Sequence, residues 1–199
     1  MSPADTDRRA TWERTGQEVA ELTDGLGMHI DPGIRDAVTA LRLLGLRTEA
    51  SCEGHDSWGV GAPWVSIGAH PTPELTELQN QWTNARQVAT DLEARNAPRG
   101  DITAAHSRAH EFREKLKSIH LRPAATLLPL LEEFYIDRQR SVETGLTIAF
   151  VSLSRSRLQS LGAEFQVTLP VELRIPKLAA YQREMADFTT FLRQRYLAD

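Results

Sequence analysis

Residues 46–68 read LRTEASCEGHDSWGVGAPWVSIG, two short β-prone runs joined by a glycine-rich connection. "LRTEASC" and "PWVSIG" each predict a strand, because each is short, carries β-formers and is bounded by turn residues. What flanks this pair decides the fold class. Upstream, "DPGIRDAVTALRLLG" sets Ile34, Val38, Leu41 and Leu44 in one helical stripe. Asp31 stands there as N-cap, Pro32 at the first helical position and Gly45 as C-cap. Downstream, Thr72 caps a helix in which Leu75, Leu78, Trp82, Ala85, Ala89 and Leu92 recur at steps of three and four. That spacing makes a narrow seam for a partner helix.

Further elements extend the pattern. A sparsely apolar helix is expected from about residue 6 to 22, a peripheral appendage within residues 1–24. A third central helix carries Ala105, Ala109, Phe112, Leu116 and Ile119, and Pro123 is expected to interrupt it before a short apolar helix through Leu131 and Phe134. "GLTIAFVSL" predicts a buried strand and "AEFQVTL" (163–169) a half-buried one, with "SRSRLQSLG" as the hairpin between them. Pro176 opens a final helix with Leu178, Tyr181, Met185, Phe188, Leu192 and Tyr196 inward. The expectation is an α+β fold with a small antiparallel sheet of about four strands covered by helices, residues 1–199 forming a single domain.

Composition narrows the function classes. The chain is 41% hydrophobic and 25% charged with a net charge of −4, an ordinary globular composition that disfavours general nucleic-acid binding. No apolar run reaches membrane-spanning length and the first residues lack the apolar core of a signal peptide. One cysteine cannot form an internal disulfide, so a cytoplasmic location is expected.

The connection at 51–64 concentrates chemistry. Cys52 and His55 have the spacing of half a metal site, suited to zinc or another divalent metal. The same pair suits a thiolate nucleophile activated by imidazole. Glu53, with His55, supplies an acid or base for either the thiol or a metal-bound water. Gly54 permits a sharp turn that returns His55 beside Cys52. Ser51, Gly54, Asp56, Trp58 and Trp64 are candidate ligand contacts, the indoles offering flat faces to a ring, although Trp64 before "VSI" also reads as core. His70, or His29 beside Asp31, is a candidate third metal ligand. His106 and His110, one helical turn apart, read as a solvated pair, as do Arg155 and Arg157. There is no phosphate-binding P-loop. A ligand- or metal-binding module and an enzyme using Cys52, Glu53 and His55 both fit.

"IDPGI", "ALRLLGLRTEASCEGH" and "PWVSI", with "LLEEFY" at 130–135 and "YQREMADFTTFLRQRYL" at the end, resemble a bacterial protein family marked by S-C-E-G-H followed by P-W-V, for which no activity is established. The matching residues are Ser51, Cys52, Glu53, Gly54, His55, Pro63, Trp64 and Val65. A narrower likeness, over Ser51, Cys52 and Gly54, is to the wybutosine-synthesis methyltransferase family with its S-S-C-S-G-R turn, which implies a role in RNA modification. Glu53 and His55 depart from that pattern, His55 standing where the family has an arginine able to hold a phosphate or carboxylate.

Overall fold

A computed structural model describes residues 3–24, 26–56, 61–163 and 170–198. Helix α1 spans Pro3–Glu21; a single 3₁₀ turn at Pro32–Ile34 runs into α2, Arg35–Leu43. Strands β1 (Arg47–Cys52) and β2 (Trp64–Gly68) follow, then α3 (Pro73–Ala94) and α4 (Arg99–Phe134). Strands β3 (Leu146–Ser152) and β4 (Arg155–Ser160) precede the last helix, α5 (Val171–Ala198). The four strands form one antiparallel sheet in the order β1-β2-β4-β3, so the fold is α+β with β1 at an edge.

Local chemistry explains several boundaries. Gly45 sits at φ +75°, where the Leu46 N–H reaches the Leu41 carbonyl and the Gly45 N–H the Arg42 carbonyl. This Schellman arrangement ends α2 and aims the chain into β1. Thr72 Oγ accepts the Leu75 N–H at 3.1 Å, capping α3 as its sequence implies.

One sheet face carries Val65, Ile67 and Leu158, all buried, with Leu146 at the end of β3. Against it pack Ile34 of the 3₁₀ turn, Val38 and Leu41 of α2, Leu127, Leu131 and Phe134 of α4, and Met185, Phe188 and Leu192 of α5. Helix α1 joins this core through Trp12 and Val19. The α3 seam is satisfied within the chain: Leu75 and Ala69 meet Leu116 of α4, flanked by Leu78, Trp82 and Ile119.

Three expected boundaries move. Helix α4 continues through Pro123 and Pro129 instead of breaking. Each proline removes one intrahelical donor, but Ala124, Leu127, Leu131 and Phe134 are buried beyond or between them, and that packing holds the helix together. Helix α5 begins at Val171, not at Pro176, which lies inside its second turn. The partner of β3 is the segment read as the hairpin: in "RSRLQS", Ser156, Leu158 and Ser160 are buried toward the core while Arg157 and Gln159, the latter also buried, take the face of Trp64. Small buried serines hide the period-two pattern from a hydrophobicity count. The strand expected at 163–169 lies outside the described residues apart from Ala163, which is buried.

Candidate functional site

The site lies where β1 ends at the sheet edge. Cys52 pairs in register with Trp64, and Trp64 with Gln159, so these residues form one row across the sheet. Arg157, opposite Ser66, shares that face. Its guanidinium carbon stands 4.1 Å from the centroid of the Trp64 ring, a cation–π contact beside the thiol.

Past Cys52 the chain turns sharply at Gly54, whose φ is +83°. A Cβ there would lie 2.7 Å from the Ala62 carbonyl carbon and 2.8 Å from Leu178 Cδ1 of α5. Glycine is therefore required twice over, by conformation and by space. The turn brings His55 back toward Cys52, as its spacing implied. The Gly54 N–H points at Cys52 Sγ, 3.3 Å away, and Gln182 Nε2 of α5 donates to the Glu53 carbonyl at 3.1 Å.

The segment 31–33 closes the other side by a reciprocal exchange. The Glu53 N–H donates to Asp31 Oδ2 at 3.2 Å, and the Gly33 N–H donates to Glu53 Oε2 at 2.7 Å. Asp31 therefore does not cap its own helix; its side chain makes no capping hydrogen bond. Glu53, 22 residues after Asp31, serves the helix start instead, an anion at the positive end of the helix dipole. Freed from capping, Asp31 faces His55, with Oδ2 3.7 Å from Nε2. Ligand atoms of Asp31, Cys52 and His55 all lie within 4.8 Å of one another.

The electrostatics of this trio favour a cation. Burial pushes the Cys52 thiol above its ordinary pKa; the Gly54 N–H works the other way, Asp31 and then Glu53 add to the rise, and Arg157 opposes it. At neutral pH a thiol in this setting keeps its proton and is a weak nucleophile. The negative charge that makes ionisation costly is the charge a bound cation would neutralise.

The other sequence candidates are placed differently. His70 does not join Cys52 and His55. It lies beyond Gly68, at the end of β2 that pairs with Arg47, and its Nε2 is 2.9 Å from the Gly45 carbonyl. That is a strand length, on the order of 15 Å, from Cys52. His29 is exposed and its backbone bridges to Thr23. Ser51 pairs with Val65 and so occupies the core side of β1, opposite Cys52. Asp56 is half-buried next to His55, and Trp58 lies outside the described residues. His106 is held by Glu93 at 2.8 Å on exposed helix surface. Glu53 keeps its carboxylate on Gly33 and is not one of the three gathered ligands.

Asp31 is the site residue that the sequence did not reveal. "DPG" before a helical stripe is a capping signal, and only the tertiary exchange with Glu53 redirects it. The chain matches no family model, no curated protein and no solved structure.

Proposed function

We propose that this is a metal-binding protein that holds one divalent ion of zinc's class on Asp31, Cys52 and His55. The observation that carries the proposal is the gathering of one carboxylate, one thiol and one imidazole within 4.8 Å. This donor set suits zinc, which accepts sulfur, nitrogen and oxygen without geometric preference. Around a tetrahedral zinc, ligand atoms stand roughly 3.3–3.6 Å apart, as follows from its bond lengths. The Asp31–His55 separation of 3.7 Å already approaches that value, so a small inward movement of the thiol completes the set.

Three protein ligands leave a fourth position for water or a small ligand, the pattern of open zinc sites. The Trp64 ring, one register pair from Cys52, supplies a flat wall beside that position, and Arg157 a positive charge. A small molecule with a ring and an anionic group fits these contacts. The protonated state of Cys52 and the engagement of Glu53 with Gly33 favour a bound metal over a free-thiol nucleophile.

Cobalt(II) is the direct test, because thiolate ligation gives an intense near-ultraviolet charge-transfer band. Protein purified without affinity metal should take up one cobalt with that band and release it to one equivalent of zinc. Cys52→Ser should lose the band, and Asp31→Asn should weaken uptake. A wild-type protein that shows no such band under saturating cobalt refutes the proposal.

A further inference from the structure

A second polar cluster lies at the opposite end of the sheet, where α4 crosses the β3–β4 turn. His120 is 7% exposed and Ser156 is 1% exposed. His120 Nδ1 and Ser156 Oγ have no hydrogen-bond partner among the described residues. Both line a pocket of about 210 Å³. Buried polar groups are paired in the great majority of cases, so two orphans in residues that line one pocket point to something that pairs them.

The rest of the lining gives the sign of that partner. Arg113 and Lys117, one turn apart on α4, and Arg155 at the start of β4 bring three cations to the rim. Two of these cations have carboxylate partners. Glu114 lies 3.7 Å from Lys117, and Glu49 holds Arg155 Nε at 2.9 Å and Arg47 at 3.1 Å. Arg113 has no ion-pair partner among the described residues. Phe150, 61% exposed, forms an apolar wall beside the charges.

We propose that this pocket binds the phosphate group of a small phosphomonoester, with Arg113, Lys117 and Arg155 around the oxyanion, His120 and Ser156 hydrogen-bonding it from below, and the organic part against Phe150. A guanidinium fork and a lysine point charge are the standard partners of such an oxyanion. The ester's ring or chain supplies the apolar surface that Phe150 otherwise leaves to water. The site is separate from the Asp31–Cys52–His55 cluster and does not depend on it.

Isothermal titration of the full chain, at constant ionic strength, with inorganic phosphate and with phenyl phosphate tests this. Saturable one-to-one binding of phenyl phosphate, weakened roughly tenfold or more by Arg113→Gln, is expected from the loss of a charged hydrogen-bonding partner. Phe150→Ala should weaken phenyl phosphate and leave inorganic phosphate unchanged. Equal binding of the two anions would support the oxyanion site but overturn the ester. Absence of saturable binding, or an unchanged constant in Arg113→Gln, would overturn the site itself. Lys117→Gln, on exposed helix surface, repeats the test should Arg113→Gln fold poorly.

Discussion

Gly54 holds the Cys52–His55 turn, and Gly54→Ala puts a number on that role. Two costs add. A left-handed conformation costs a non-glycine residue roughly 1–2 kcal/mol, partly offset by the reduced freedom of alanine in the unfolded chain. The new Cβ would also meet the Ala62 carbonyl carbon at 2.7 Å and Leu178 Cδ1 at 2.8 Å. Backbone cannot swing aside as a side-chain tip can, so overpacking adds about 1–3 kcal/mol. The total is about 2–4 kcal/mol, which for a chain of this size lowers the thermal midpoint by roughly 5–15 °C. The molecule contains its own controls. Gly27 and Gly45 have φ of +79° and +75°, and a Cβ at either meets nothing within 4 Å. Gly27→Ala and Gly45→Ala should therefore show only the backbone cost, about 1 kcal/mol. Adding Leu178→Ala to Gly54→Ala should recover part of the loss, read as a coupling in a double-mutant cycle. Circular dichroism melts and urea titrations of these variants suffice. A Gly54→Ala midpoint equal to that of Gly45→Ala would show that the close approach of the loop to α5 and Ala62 is absent.

Two further expectations concern protonation. Because burial and Asp31 hold the Cys52 thiol in its protonated form, the metal-free protein should react with iodoacetamide at neutral pH more slowly than free cysteine, and Asp31→Asn should speed the reaction. A rate above that of free cysteine in the metal-free wild type would contradict this account. His120 is pushed below its ordinary value of 6.5 mainly by burial, with Glu49 opposing and Arg47 assisting. The unfolded chain therefore binds the proton more readily than the native one, so this contribution to stability is present above the unfolded pKa and is lost as pH falls. The thermal midpoint should drop between about pH 7 and 5 more steeply in the wild type than in His120→Asn. Parallel curves would mean that His120 titrates alike in both states.

Periodicity made the helices and the β1–β2 pair legible, because each buries a continuous stripe or a short apolar run. It failed at β4, where Ser156 and Ser160 take positions that a hydrophobic residue usually fills. It also failed at Pro123, where tertiary burial outweighs a lost hydrogen bond. The site was half legible. The Cys52–Gly54–His55 spacing carries its own local geometry, and a positive φ at Gly54 follows from residue type. Asp31 and His70 mark the limit. Distance along the chain favours His70 as a ligand, yet β1 and β2 place it at the far end of the sheet, whereas Asp31 arrives through hydrogen bonds between loops twenty residues apart. No local pattern encodes such an exchange.

The continuity of α4 has a consequence for how the molecule breathes. Its first half and α3 bury only Leu75, Ala89, Ala109 and Leu116 between them, while from Ala124 onward the same helix is anchored in the main core. Opening free energy follows local burial, not secondary-structure labels. Amides of the paired helices should therefore exchange with solvent through a partial opening that leaves the sheet intact, and those after Ala124 only through global unfolding. The boundary between two cooperative units falls inside one unbroken helix, close to the buried His120.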